Sequence, residues 1–230
     1  GIPTASEFGR ILTSRFRTGW RAPDGSIYRT QALAKEEGGW TAKKLDKTDP
    51  IFELELSPGA VSYANELIAE RLVGPSIAGE SRWTQRGRIM EAEARALFCF
   101  ETDIAITEIG FILDEDLQIG CSPDGVWIAR DEIVTGLEVK CPKASTHIEY
   151  LVGGTVPDEY VPQVQGSMLV TGAQEWWFMS YHPDIDPLIL NVPADTQWQA
   201  ALVAEVRKLN ELLAERLAVV TGRQAQKEAA

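Results

Sequence analysis

Gly120-Cys121-Ser122-Pro123-Asp124-Gly125 and Leu137-Glu138-Val139-Lys140-Cys141-Pro142 are the two stretches on which the reading of this chain turns. The second has the pattern of a strand. Apolar Leu137 and Val139 alternate with charged Glu138 and Lys140, and Cys141-Pro142 closes the run, because proline has no N–H to give to a ladder. Side chains two apart in a strand point to one side. Glu138 and Lys140 therefore share a face while Val139 points into the core. If the stretch ending at Asp124 pairs with this strand, the aspartate arrives beside them, and an acid–acid–lysine cluster forms at one end of a twisted sheet.

Hard cations such as Mg²⁺ prefer carboxylate and carbonyl oxygen and would hold two like-charged acids together. A protonated lysine cannot ligate, but it can orient an attacking water or help to deprotonate it. That combination suits hydrolysis of a phosphodiester. Glu91, on a predicted helix upstream, could add a third carboxylate, and the Val139 carbonyl a neutral donor. The same residues also have an ordinary reading. Ser122-Pro123-Asp124-Gly125 has the composition of a type I β-turn, which would serve a surface hairpin with no chemistry at all. Against it, Glu138 and Lys140 end an apolar strand, where charges are costly if buried without partners.

Working outward, the segments Ile104–Ile106, Glu108–Leu113, Leu117–Cys121, Gly125–Ala129 and Ile133–Lys140 are short, β-branched and separated by turn residues, which predicts an antiparallel meander. Glu175 to Tyr181 carries three aromatics in a row and predicts a further core strand. Helical spacing predicts helices over Val61 to Leu72, Arg82 to Phe100, Pro162 to Thr171 and Thr196 to Val220. In the second of these, Ile89, Ala92, Ala96, Leu97 and Phe100 mark the apolar face. In the last, Leu202, Val206, Leu209, Leu213 and Leu217 should lie against the sheet or a neighbouring subunit. Trp20 to Asp49 is Gly-rich and reads as a long loop with one short helix around Thr30 to Glu37. The fold class is α/β of the mixed α+β kind: a central twisted mixed β-sheet flanked by helices.

The chain of 230 residues, 44% hydrophobic, is long enough for one good-sized core. Its 22 basic and 34 acidic residues sum to −12, which excludes a uniformly basic protein that coats nucleic acid by charge alone. The basic residues are segregated: Arg10, Arg15, Arg17, Arg21, Arg29, Lys35, Lys43, Lys44 and Lys47 crowd the first fifty positions. Cys99, Cys121 and Cys141 are odd in number and show no metal-type pairing, so a reducing setting fits, and they are expected to be buried and unreactive. No apolar run suits a membrane helix or a secretory leader, so a soluble cytoplasmic protein is expected. His147 and His182 are expected to be structural, Trp83 an anchor, and Trp176-Trp177-Phe178 a core strand.

With these residues in view, the sequence resembles the phage lambda exonuclease family, the YqaJ-type viral recombinases of the PD-(D/E)xK nuclease superfamily. Ile2-Pro3-Thr4-Ala5-Ser6-Glu7 is similar to that family's "ITAS" segment, and Gly87 through Glu91 to Phe98 to its glutamate-bearing helix. Cys121 to Gly125 matches "CSPDG", Leu137 to Pro142 is similar to "LELKCP" with Val139 for its second Leu, and Tyr160 to Gln165 is similar to "YxxQVQ". Five blocks in order cover most of the chain. The family's arginine ahead of "ITAS" has no counterpart, since the sequence starts too late to show it.

The resemblance implies a restriction-endonuclease-like core in one nuclease domain over 1–230. Its parts would be a basic DNA-contacting region at 1–50, a catalytic core at 82–190 and a terminal helix at 196–220. It implies Asp124 and Glu138 as metal carboxylates with the Val139 carbonyl, Lys140 as the catalytic lysine, and Glu91 completing the acidic set. Tyr160 and Gln163 would lie near the scissile phosphate, Ser6 and Ser122 would hydrogen-bond the 5′ phosphate, and Arg15 and Arg17 would contact DNA. The implied activity is a Mg²⁺-dependent 5′→3′ exonuclease on double-stranded DNA ends, with Mn²⁺ as a substitute. It would work as a ring-shaped homotrimer, with a strand-annealing recombination protein as partner and a phage or prophage in a bacterial host as origin. A non-catalytic DNA-end-binding protein and a PD-(D/E)xK endonuclease are the competing readings.

Overall fold

The computed structural model describes residues 1–12, 20–21, 27–28, 32, 35–36, 43–44, 56–74 and 82–228. In chain order, a 3₁₀ turn (Ala5–Glu7) leads into α1 (Phe8–Leu12). Strands β1 (Trp20–Arg21), β2 (Ile27–Tyr28) and β3 (Lys43–Lys44) form a small antiparallel sheet with β1 in the middle. The region read as a long loop thus contains paired strands, too short to leave a periodicity. Of the helix expected around Thr30 to Glu37, the described residues Ala32, Lys35 and Glu36 are helical, and the rest lies outside the described residues.

Helix α2 (Pro58–Val73) starts where Ser57 caps it by accepting from the Ala60 N–H at 3.0 Å, and it stops at Gly74, whose φ is +84°. Helix α3 (Arg82–Thr102) follows. Strands β4 (Ile112–Asp114) and β5 (Ile119–Cys121) make a separate antiparallel pair. The main sheet contains β6 (Gly125–Ala129) and β7 (Glu132–Lys140), then, after α4 (Ala144–Gly153) and α5 (Val161–Thr171), β8 (Glu175–His182) and β9 (Ile185–Pro193). Its order is β6-β7-β8-β9, with β7 and β8 parallel and the other two pairs antiparallel. A parallel pair needs a crossover, and α4 and α5 provide it. Helix α6 (Thr196–Glu228) ends the description.

The mixed sheet flanked by helices is as expected, but the single meander is not. Ile104 to Ile106 forms no strand, and the run from Glu108 shortens to β4. Nor do β5 and β6 pair with each other, so Ser122-Pro123-Asp124-Gly125 is not the tip of a hairpin. It carries the chain from one sheet to the next, and the Asp124 N–H already bonds the Leu137 carbonyl at 3.1 Å. The tight hairpin lies instead between β6 and β7, where Arg130 and Asp131 both have positive φ. Helix α4 and strand β9 are additions to the expected elements.

Two packings sandwich the main sheet. On one face Val126, Trp176 and Phe178 meet Val164 and Met168 of α5. On the other, Leu137, Val139 and Met179 meet Ala94 and Phe98 of α3. The buried face of α3 is therefore Met90, Ala94 and Phe98, with Leu97 beside them. Of the stripe expected to be buried only Leu97 packs inward; Ile89 is 60% exposed, Phe100 is 79% exposed, and Ala92 and Ala96 are exposed between them. Apolar residues occur on both sides of this helix, so apolar count alone could not choose the inner one.

A second core joins Phe8, Ile11 and Leu12 to Tyr63, Leu67 and Ile68 of α2, Ile119 and Cys121 of β5, and Leu202, Val206, Leu209 and Leu213 of α6. The expected stripe of α6 is thus buried, but mainly against α1 and α2 rather than the main sheet. At Gly166 of α5 a Cβ would stand 2.2 Å from the Phe8 ring, so the N-terminal segment lies on that helix only because glycine is there. Among the described residues no helix is long and apolar enough to cross a membrane.

Candidate active site

Strand β7 runs past the start of its antiparallel neighbour. Gly125 pairs with Leu137, so Val139 and Lys140 extend beyond the end of β6. There the Asp124 side chain takes over the role of a strand backbone: its Oδ2 accepts the Val139 N–H at 2.7 Å. In a strand the N–H and C=O of one residue point to the same edge. The Val139 carbonyl therefore faces the side on which the Asp124 carboxylate sits.

Glu138 and Lys140 share the face covered by α5. Glu138 is 2% exposed, and the Lys140 ammonium donates to its Oε1 in a tight ion pair. The same ammonium donates to Gln163 Oε1 at 3.1 Å and lies 4.9 Å from the centre of the Tyr160 ring. The ring in turn stacks on Phe178 with centroids 5.6 Å apart, and Phe178 is the β8 partner of Glu138. Two positions before Glu138, Gly136 leaves room for the Trp176 ring, which a Cβ would meet at 2.2 Å. Tyr160, Phe178 and Trp176 thus line this face together with Val164 and Met168 of α5.

Burial without enough compensation governs the electrostatics. It pushes Asp124 up to about 6, against the opposing pull of the Val139 N–H and Lys140. It pushes Glu138 up to about 7, against the opposing charge and hydrogen bond of Lys140 and with smaller repulsions from Asp124 and Glu91. Burial alone would lower Lys140, but the charge and hydrogen bond of Glu138, with Asp124, outweigh it and raise it. Cys141 is pushed up to about 12 by burial and by the neighbouring Glu91 and Asp124 charges, so its thiol stays neutral. It is half-buried, as is Cys99, while Cys121 is fully buried.

The sequence-predicted residues divide in four. Asp124, Glu138, Val139, Lys140, Gln163 and Tyr160 come together. Glu91 is half-buried on α3, close enough to repel both carboxylates. Ser6 and Ser122 are exposed at a junction where Thr4 pairs in parallel with Gly120 and the Gly120 N–H bonds the Pro3 carbonyl at 2.9 Å. Both serines lie two residues beyond that pairing, so the register brings their segments side by side.

Arg15 and Arg17 lie outside the described residues. Arg10 is committed elsewhere: a bidentate pair holds it to Glu66 at 2.6 Å, with Glu7 at 3.3 Å and the Tyr63 ring beneath it. His147 is the expected structural histidine, fully buried between Ser180 Oγ at 2.7 Å and the Asp186 carbonyl at 3.0 Å.

Sequence reasoning missed Arg95, Tyr150 and Glu159. Arg95 pairs with Glu108 at 3.0 Å and lowers Asp124 by its charge; it stands four residues after Glu91, a spacing that could have shown it. Tyr150 donates to Glu159 at 2.8 Å and meets the Tyr160 ring edge-on. It sits on α4, which had no signal.

Two carboxylates that repel each other, Glu138 buried and Asp124 half-buried, with a carbonyl at the same edge, form a hard-oxygen donor set. Among the described residues no three His, Cys, Asp or Glu side chains form a ready cage. An open set of this kind suits Mg²⁺, which binds through one or two carboxylates and completes its shell with water and substrate phosphate.

The YqaJ-like viral recombinase domain pattern matches residues 39–174, more than half of the chain and including β6, β7 and α5. The chain belongs to the YqaJ-like viral recombinase family. No curated protein matches it significantly in sequence. Among solved structures it is similar to LHK-Exo, an alkaline exonuclease from Laribacter hongkongensis. The complex of that protein with dAMP gives a TM-score of 0.72 at 24% identity, covering 98% of this chain and 94% of that one. A second LHK-Exo structure gives 0.70 at 24% identity, covering 97% and 93%. A phage-related exonuclease from Haemophilus somnus gives 0.56 at 16% identity, covering 94% and 96%. At these identities the likeness is one of fold.

Proposed function

We propose that this protein is a Mg²⁺-dependent 5′→3′ exonuclease that acts on double-stranded DNA ends. It releases mononucleotides from one strand and leaves a 3′ single strand for recombination, in the cytoplasm of a bacterium that carries a phage or prophage. The observation that carries the reading is the convergence of Asp124, Glu138 and Lys140 in one desolvated cluster at the open end of β7. Family membership and the likeness in fold to exonucleases, one of them in complex with dAMP, support it.

Asp124, Glu138 and the Val139 carbonyl would hold Mg²⁺, and Mn²⁺ would accept the same oxygen donors. When bound, the ion supplies Lewis-acid stabilisation of the phosphate and acidifies an attacking water. Lys140, held as an ammonium by Glu138, orients that water, whose proton leaves to solvent. Water adds to phosphorus, the P–O3′ bond breaks, and the departing 3′ oxygen takes a proton, so the product is a 5′-mononucleotide. Ser6 and Ser122 suit the 5′ phosphate as hydroxyl donors. Gln163 and Tyr160 border the same space, and Arg15 and Arg17 would track the duplex.

A homotrimeric ring would place the acidic surface outward and the basic first fifty residues toward DNA, and the exposed stripe of Ile89 and Phe100 offers apolar surface for such an assembly. The 3′ strand would pass to a strand-annealing recombination protein. The test is digestion of linear duplex labelled separately at its 5′ and 3′ ends, with Mg²⁺ and with chelator, beside a covalently closed circle. Early loss of the 5′ label with Mg²⁺ alone is expected. Rapid cutting of the circle, or digestion undiminished by chelator, overturns the reading.

A further inference from the structure

We infer that Tyr160 and Gln163 form an uncharged cradle that keeps Lys140 in place when a divalent cation takes Glu138 away from it. The inference rests on the proposed reading of the site and adds a positioning role to it. The Lys140 ammonium has three partners: the Glu138 carboxylate, the Gln163 amide oxygen at 3.1 Å and the Tyr160 ring face at 4.9 Å. Glu138 is the one of the three that a cation would also claim. An ammonium held by that carboxylate alone would swing away at the moment its geometry mattered. The other two partners are neutral, weak ligands for a hard cation, and do not add a third negative charge to a pair of acids that already repel.

Both cradle residues come from one turn at the start of α5, three positions apart and so on the same side of the helix. A helix N-terminus repels a cation through its dipole. Lys140 sits there nonetheless, held by Glu138 with the amide oxygen and the ring face beside it. The ring is fixed from two further directions. Phe178 stacks against it with an interplanar angle of 28°, and Tyr150 meets it at 89°, with its hydroxyl 3.5 Å from that of Tyr160 and bonded to Glu159. The arrangement is a preorganised support of a kind that long flexible side chains need if they are to act in one geometry.

The test uses full-length protein labelled with ¹³C-lysine. The ε-CH₂ signal of Lys140, assigned with Lys140→Arg, is expected to be shifted upfield by the ring current without metal, and to stay shifted when Ca²⁺ or Mg²⁺ is added to saturation. Tyr160→Phe keeps the ring and the shift, whereas Tyr160→Leu loses the shift. Gln163→Met weakens it and makes it sensitive to the cation, which tests the cradle again if Tyr160→Leu does not fold. In cleavage of linear duplex, Tyr160→Leu lowers kcat by about tenfold at nearly unchanged KM, while Tyr160→Phe recovers most of it. An unshifted Lys140 signal in the wild type, or a shift that vanishes when the cation binds, overturns the cradle. Wild-type cleavage by Lys140→Ala overturns the catalytic role given to Lys140 in the proposed reading instead, and leaves the metal-free spectrum to decide the cradle by itself.

Discussion

Removing the charge of Glu138 should make the metal-free protein more stable while abolishing its activity. The folded Glu138 carboxyl has been pushed by burial from an ordinary value of 4.5 up to about 7. A carboxyl raised on folding helps the folded state below its ordinary value, and loses that help as the pH rises through the folded value. Above pH 8 the folded chain thus bears the whole cost of an ionised, desolvated acid. At about 1.4 kcal/mol for each pH unit between the two values, that cost is on the order of 3 kcal/mol. For a chain of this length it corresponds to a rise in Tm of about 6–12 °C on going from pH 8.5 to pH 5.

Asp124, pushed by burial from 3.8 up to about 6, adds a smaller contribution of the same sign. The two acids repel each other, so the contributions sum to less than their separate values. The assay is thermal unfolding in chelator at pH 5 and pH 8.5 for the wild type and Glu138→Gln. The variant should gain most of the increment at pH 8.5 and almost none at pH 5, which separates the site from the general relief of a −12 chain on acidification. Mg²⁺ should stabilise the wild type at pH 8.5 and leave Glu138→Gln nearly unaffected. A variant that melts below the wild type at pH 8.5 would refute the reasoning, because it would mean that the ion pair with Lys140 outweighs the desolvation of its acid.

Lys140→Ala should lower cleavage of linear duplex by at least about 10²-fold while end binding in a gel-shift assay persists; unchanged cleavage would remove its assigned role. Asp124→Ala leaves the Val139 N–H without its 2.7 Å acceptor and should cost about 1–3 kcal/mol more in urea unfolding than Asp124→Asn, which keeps an oxygen there. Both should be inactive, and equal stability of the two would show that the backbone bond is not made. Gly136→Ala would place a Cβ 2.2 Å from the Trp176 ring and should destabilise by about 1–3 kcal/mol through overpacking beside Glu138, read by the same unfolding. Phe100→Asp, at a position 79% exposed on α3, should leave Tm unchanged and shift the mass measured by light scattering toward the monomer. A uniform mass for both proteins would separate that helix face from assembly.

The site was more legible in the sequence than the fold around it. Strand alternation fixed the relation of Glu138, Val139 and Lys140, because a period of two leaves no freedom about which side chains share a face. The helical spacing of α2 and the leucine spacing of α6 were legible for the same reason: each is a local signal. What failed was long-range. Nothing local says that β5 and β6 belong to different sheets, and a run with turn residues and β-branched segments looks the same whether its strands pair consecutively or not. The inner face of α3 was misassigned because Ile89 and Phe100 are as apolar as Met90 and Phe98, and the choice belongs to β7 and β8. Helix α4 carries its information in His147, whose two bonds to Ser180 and Asp186 join it to strands more than thirty residues away.

The arrangement also favours a chemical reading of the cluster over a structural one. A buried ion pair kept for its own sake needs Glu138 and Lys140, with Gln163 to satisfy the remaining donor. It has no use for a second acid. Asp124 does serve the backbone by accepting from Val139, but an asparagine would accept the same bond without repelling Glu138 and without burying a charge. The fold nonetheless sets a carboxylate there, raised to about 6 by its surroundings, at the open end of a strand and on the edge faced by the Val139 carbonyl. A cation arriving from solvent would relieve both repulsion and desolvation at once at a pH where the acids are ionised. The destabilisation predicted for the empty site and the chemistry proposed for the filled one are therefore two consequences of the same pair of oxygens.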